Sequence, residues 1–340
     1  NAYANITQLD ISTILNADVV ANYSGGSADP ANDGIDASGA TYYTQSGVEN
    51  ICPGDLDPHG IPDNGLVAES DYHPEIQLAV DNTDNGDNAF WSNTSGNTGT
   101  IDITDKAYDY IHIFAISTDG SSTASLTVTY SDASVETTSD RTIRDWFHDF
   151  SEDNDEYYLI DGMDHDNGTG CQDADDPAIF GVRFAVNGKK EVDSFVINYT
   201  TPGNFVVFGA AGQTVPVVVP GANTAPANGA TFASDAGPTQ LKVEFSEEVK
   251  SGSGTDGAGN TDNYLLVEAG ANGSFDTDSC ASGVLGDDNK ITVDSVSYNS
   301  SNPFTSTLGI NSGTALPSGL YRLFVCGTTS IEGLFVSKLN

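Results

Sequence analysis

The sequence predicts an all-β protein built as two tandem β-sandwiches, and three observations carry that expectation. Lys, Leu and Glu are too sparse for long helices, with Asp outnumbering Glu by 37 to 12. Thr, Val, Ile, Tyr, Ser, Gly, Asn and Asp run in short alternating stretches, the composition of strands joined by turn-rich loops. The 340 residues, 38% of them hydrophobic, supply apolar material for two cores of ordinary domain size.

In the first 200 residues the strand signals fall at 6–14, 76–80, 99–103, 110–117, 125–130, 135–138, 178–185 and 192–199. Tyr110-Ile-His-Ile-Phe-Ala-Ile116 is the most apolar of them and reads as a central strand. Ala124-Ser-Leu-Thr-Val-Thr-Tyr130 alternates cleanly, so one of its faces should meet water. Thr118-Asp-Gly-Ser-Ser122 between these two reads as a hairpin turn.

The segment 204–225 has a different texture. Phe205-Val-Val-Phe208 and Val215-Pro-Val-Val-Val219 are apolar and β-prone, and Pro216 excludes a central strand at its own position. Such a segment must be covered, either by its own chain or by exchange with a neighbouring subunit through Phe205, Val207, Val217 and Val219. Domain limits of 1–203, 204–225 (strand and linker) and 226–340 follow.

Two resemblances refine the fold class. Residues 1–203 resemble a galactose-binding-like jelly-roll module of secreted bacterial proteins. The carriers are Leu9-Asp-Ile-Ser-Thr-Ile-Leu-Asn-Ala-Asp18, Ser125-Leu-Thr-Val-Thr-Tyr130 with its following turn, Arg144-Asp-Trp-Phe147, Phe180-Gly-Val-Arg-Phe184 and Val192-Asp-Ser-Phe-Val-Ile197. Residues 226–340 resemble a bacterial immunoglobulin-like module of cell-surface proteins. Here the carriers are Pro226-Ala-Asn-Gly-Ala-Thr231, Leu241-Lys-Val-Glu-Phe-Ser-Glu-Glu-Val249, Asn263-Tyr-Leu-Leu-Val267, Leu316-Pro-Ser-Gly-Leu-Tyr-Arg-Leu323 and Val325-Cys-Gly-Thr-Thr-Ser330. The resemblances imply a jelly roll followed by an immunoglobulin-like sandwich. The ending Glu332-Gly-Leu-Phe-Val-Ser-Lys-Leu339 departs from the family's Asp-Leu-Ala-Gly-Asn-like turn. That departure puts the last strand in question and leaves continuation past Asn340 open.

The four cysteines permit three connectivities, and only Cys52 with Cys171 and Cys280 with Cys326 respects two domains. Buried free thiols are the other reading. Disulfides imply an oxidising, extracellular setting. Ala2-Tyr3-Ala4 has the small-x-small form of a signal-peptidase site, which we read as coincidence or imprecise cleavage.

Net charge is −38, from 49 acidic and 11 basic residues. That field makes nucleic acid and anionic membranes poor partners. No apolar run approaches the roughly 20 residues that cross a bilayer, so no membrane insertion is expected. The carboxylates gather in turns at Asp55, Asp57 and Asp63, at Asp81, Asp84 and Asp87, at 149–156, and at Asp164 and Asp166. Hard oxygen ligands two residues apart beside a glycine bend suit calcium. Yet Leu66 and Ser92 stand where a calcium loop of the EF-hand kind places Glu, so neither of the first two clusters is one. Calcium is the expected ion, its number open; turn formation and solubility are the other use of these residues.

No Gly-x-Ser-x-Gly, His-Glu-x-x-His, phosphate-cradling loop or zinc cysteine pair occurs, and the chain is expected not to be an enzyme. The aromatic residues that could stack on sugars are Tyr42 and Trp91, beside Tyr43 and Phe90 in sequence, with Tyr72 and Tyr157-Tyr158 as further platforms; Trp146 reads as core. Two functions follow. The first is an extracellular structural protein, a cell-surface or filament-forming subunit whose partner is itself or another surface protein, stabilised by calcium. The second, resting on the jelly-roll resemblance, is a carbohydrate-binding accessory module of a larger secreted enzyme or adhesin, with glycans as partners.

Overall fold

The computed structural model describes residues 6–36, 38–52, 58–70, 72–80, 86–153, 155–167, 170–172, 177–219, 223–233, 236–327 and 331. The chain is nearly all β and forms two compact units, Ile6–Thr214 and Val215–Asn340. The boundary expected between 203 and 226 therefore falls at 214/215.

The first unit is organised around a sheet in which Ile6–Leu9, Phe205–Gln213, Tyr110–Ser117, Ile179–Ala185 and Glu156–Ile160 lie side by side, every neighbouring pair antiparallel. Phe90–Ser92 joins the far end of Phe205–Gln213. Alternation along Tyr110–Ser117 shows why the sheet is so apolar. Ile111, Ile113 and Ala115 enter one core, whereas Phe114 and Ile116 enter another on the opposite face.

The first core lies against a second sheet, made by Val135–Thr137, Ser122–Tyr130, Glu191–Thr200 and Gly96–Ala107, with Arg141–Ile143 beside Ser122–Tyr130. Leu126, Val128, Phe195 and Ile197 fill it from that side, while Thr127 and Thr129 point away. This is a sandwich of two antiparallel sheets. The second core is closed by a third layer of short pieces. Val20–Ser24 pairs in parallel with Thr41–Tyr43 and antiparallel with Ser27–Asp29, and His165–Asp166 and Cys171–Gln172 extend the sheet. Leu66–Val67 and Ile76–Gln77 add a two-stranded ribbon. Tyr42, Ile61, Ile76 and Leu78 pack from this layer onto Phe114, Phe180 and Phe208.

The third layer explains the segment that sequence left between two readings. Phe205–Gln213 is buried at every position because both of its faces are covered, and Phe205 and Val207 have no exposed surface. Exchange of these residues with a neighbouring subunit is thereby corrected: their ladder partners are Tyr110–Ser117, Phe90–Ser92 and Ile6–Leu9 of the same chain. Val217 and Val219 also pair within the chain. The Val219 N–H donates to the Glu244 carbonyl at 2.8 Å, and the Ser246 N–H to the Val217 carbonyl at 2.9 Å.

The α-helix Gln45–Ile51 is set by its N-cap. The Thr44 side chain accepts from the Gly47 N–H at 3.1 Å, and a Cβ on Gly47 would stand 2.7 Å from the Ala21 carbonyl oxygen. The helix covers the outer side of the third layer, where Val48 meets Ala21, Tyr43 and the Cys52–Cys171 disulfide.

The second unit is a smaller pair of three-stranded antiparallel sheets. Gln240–Glu244, Thr305–Ile310 and Val293–Asn299 form one. Asn289–Ile291, Tyr264–Glu268 and Tyr321–Val325 form the other. Leu241, Val243, Tyr264, Leu266, Leu308 and Ile310 build the core between them. Leu265, Val267 and Phe324 face the other way and are covered by Phe275 and the Cys280–Cys326 disulfide. Both expected disulfides are thus formed.

Candidate functional site

Asp55, Asp57, Asp81 and Asp84 lie outside the described residues. Three of the other four sequence-selected carboxylates accept backbone N–H groups. Asp63 accepts from the Ser46 N–H at 2.8 Å and from the Ser46 hydroxyl, anchoring the first turn of the helix. Asp164 is buried and accepts the His59 N–H at 2.6 Å. Asp166 accepts the Tyr43 hydroxyl at 3.3 Å and the Gly170 N–H at 3.2 Å. Burial, with the charges of Asp166 and Asp164, pushes the Tyr43 phenol well above its ordinary pKa. Asp87 is exposed on the rim of a shallow hollow of about 320 Å³ lined by Asn64, Gln77, Leu78 and Asn88. Among the described residues none of these four joins a group of three ligand atoms.

The structure assembles three carboxylates elsewhere. One oxygen each from Asp276, Asp287 and Asp288 lies within 4.8 Å of the other two. They belong to the segment that crosses from Tyr264–Glu268 to Asn289–Ile291 and carries Phe275 and Cys280 onto the sheet. Backbone donors place each group. The Asp276 Oδ2 accepts the Asp287 N–H at 3.2 Å, and the Asp287 Oδ2 accepts the Asn272 N–H at 3.2 Å. The Asp288 Oδ2 accepts the Thr277 and Asp276 N–H groups at 2.8 and 3.1 Å. Burial alone would raise the Asp288 pKa; the backbone N–H groups, Thr277 foremost, outweigh it and hold the carboxyl below its ordinary range. Sequence reading missed this group because Asp276 and Asp287 stand eleven positions apart and meet only when the loop closes.

Comparison of the chain with protein-family models and with curated proteins finds no match. What the site can do therefore rests on its own chemistry.

The aromatic residues tell against an open sugar platform. Tyr42 has no exposed surface: its ring packs edge-on against Trp146 at 5.5 Å, and its hydroxyl donates to the Ala178 carbonyl at 2.9 Å. A ring closed on both faces cannot stack on a sugar, so the expectation for Tyr42 is corrected. Trp91 is half-buried against the same core, its Nε1–H donating to the Ile35 carbonyl at 3.2 Å. Tyr157, also fully buried, lies over Gly181, where a Cβ would approach its ring to 2.2 Å.

In the sequence His112 alternates with apolar residues and reads as a packed or surface histidine; the structure buries it and supplies the polar partners that sequence did not reveal. His112, on the central strand, sits between the Tyr157 hydroxyl at Nδ1 (2.9 Å) and the Gln213 Oε1 at Nε2 (2.8 Å). Tyr157 stacks on His73 at 5.2 Å. Burial holds the His112 pKa down at about 4, with Arg183 and His73 adding to the effect and Gln213 and Asp155 opposing it. Enclosed on all sides, this group joins the layers and has no route to a substrate.

Proposed function

We propose that the chain is an extracellular structural protein, a cell-surface or filament-forming subunit that assembles with copies of itself through sheet edges. The observation that carries the proposal is Gly96–Ala107, a twelve-residue strand at the border of the sandwich's second sheet. It pairs with Glu191–Thr200 on one side, and on the other no strand of the described residues joins it. Long exposed edges are templates for pairing with another chain, and here the edge carries Asp102, Asp105 and Lys106, charges that limit unspecific contact. Two disulfides, each within one unit, support an oxidising extracellular setting. Among the described residues no helix is long and apolar enough to cross a membrane.

Electron microscopy of the natively isolated protein, joined to hydrogen exchange, tests this. Ordered filaments or sheets, with amide exchange in 96–107 slowed on assembly, are expected. Dispersed monomers, or an assembly in which those amides exchange as in the monomer, would overturn it. The carbohydrate-binding reading has lost its Tyr42 platform, and glycan arrays are expected to stay silent.

A further inference from the structure

The loop that carries Asp276, Asp287 and Asp288 has two properties that turn formation alone leaves unexplained. The first is an unfilled acceptor. Asp288 is 7% exposed, and while its Oδ2 takes two backbone N–H bonds, its Oδ1 is enclosed and accepts none. The Thr277 side chain and the Gly270 N–H also act on this carboxylate, yet the enclosed Oδ1 has no well-formed hydrogen bond in exchange for the water it lost. The second is uncompensated charge. Three carboxylates gather within 4.8 Å, and among the described residues no lysine or arginine forms an ion pair with any of them. Arg322 is engaged instead over the Phe275 ring, 4.2 Å from its centroid.

The backbone is shaped to keep this arrangement. Gly286 has φ +58°, and a Cβ there would stand 1.7 Å from the Asp276 Oδ2. Only glycine lets that carboxylate reach Asp287 and Asp288. The loop is also tied to the end of Tyr321–Val325 by Cys280–Cys326.

We infer that Asp276, Asp287 and Asp288 form a calcium site that closes the 270–288 loop. The donor set is all oxygen, with no imidazole or thiolate in the group, which disfavours zinc and copper. Asp276 and Asp287 are exposed, so water completes the six to eight ligands calcium takes. The irregular loop imposes no octahedron, the geometry magnesium requires. The cation gives the enclosed Asp288 carboxylate a further partner and cancels the mutual repulsion of the three charges. This inference rests on the loop alone and is independent of assembly through sheet edges.

The test is calorimetric titration of the chelator-treated full chain with calcium chloride in 0.15 M sodium chloride, beside Asp276→Asn/Asp287→Asn. Both substitutions are isosteric and at exposed positions. The wild-type chain is expected to bind one calcium ion more per chain than the double variant, with a Kd of about 0.1 to 1 mM, the range of extracellular modules. Asp132→Asn, in an exposed turn elsewhere, should titrate as wild type. Hydrogen exchange gives a second readout: calcium should slow the amides of 270–288 in the wild-type chain and leave them unchanged in the double variant. Equal stoichiometry in wild type and double variant, exchange indifferent to calcium, or displacement of the ion by equimolar magnesium would each overturn the assignment.

Discussion

His112 shows how a single buried residue couples this fold to pH. In the neutral ring Nε2–H donates to Gln213 and Nδ1 accepts from the Tyr157 hydroxyl, so both nitrogens are used and neither meets water. Charging it places a cation beside Arg183, its cross-strand partner, and near His73, with Asp155 the only carboxylate acting on it. The folded pKa of about 4 lies below the ordinary 6.5, so between those values the unfolded chain binds the extra proton. Stability from this group is therefore complete above pH 6.5 and is lost as pH falls through about 4. The loss amounts to about 3 kcal/mol across that window. Urea unfolding of wild type and His112→Gln at pH 7 and pH 4.5 isolates this contribution. In His112→Gln the difference between the two pH values should shrink by about 2–3 kcal/mol; an unchanged pH dependence would assign acid sensitivity to other groups. Comparing the two chains matters because acid also relieves the repulsion of the other carboxylates, and that relief cancels in the difference.

Elements are where sequence and structure agree most and also where they part. Tyr110–Ser117 coincides with its expected limits, and Ser122–Tyr130, Ile179–Ala185 and Glu191–Thr200 differ from theirs by one to three residues at an end, because alternation is strong where one core lies on each side or water on one. Of the third layer only Ile76–Gln77, inside the expected 76–80, was legible. Its other strands are two to five residues long and lie among Asp, Asn and Gly, too short for a period to register. That omission also decided how Phe205–Gln213 was read. A continuous apolar run marks a strand buried on both faces, but in a sandwich of two layers it looked like a surface in need of a partner. Among the described carboxylates, Asp63, Asp164 and Asp166 accept backbone N–H groups, whereas the group of three at Asp276, Asp287 and Asp288 is made by loop closure.

The disulfides were legible, and their weight differs with loop length. Cys52–Cys171 spans 119 residues and Cys280–Cys326 spans 46. In the chain-entropy model these closures contribute about 5 and about 4 kcal/mol, model-dependent figures. Cys52→Ser/Cys171→Ser should lower the unfolding midpoint of the larger unit and leave that of 215–340 in place, with Cys280→Ser/Cys326→Ser doing the reverse. Urea unfolding followed by hydrogen exchange of each unit reads the two separately. A single shared shift would mean that the units unfold together.

At the scale of the whole molecule the governing quantity is charge. With 49 acidic residues against 11 basic ones, folding concentrates like charges that the unfolded chain holds apart. The described ion pairs are few, and four of the five, Arg141–Asp155, Arg183–Asp155, Lys190–Asp132 and Lys250–Asp256, have at least one substantially exposed partner, so they return little. Salt reverses the balance that such pairs would give. The screening length falls from about 30 Å at 0.01 M to about 3 Å at 1 M, which weakens the summed repulsion more than a handful of contacts at 3 Å. The midpoint of thermal unfolding should therefore rise with sodium chloride over that range. Each 1 kcal/mol of relieved repulsion is worth about 2–4 °C for a unit the size of 6–214. A midpoint that falls with salt would show that attractive pairs, including ones outside the described residues, outweigh the net charge. Screening and site binding also separate under these conditions. At 1 M sodium chloride diffuse repulsion is already suppressed, so any further stabilisation by millimolar calcium belongs to bound ions, and the part contributed by the 270–288 loop should disappear with Asp276→Asn/Asp287→Asn.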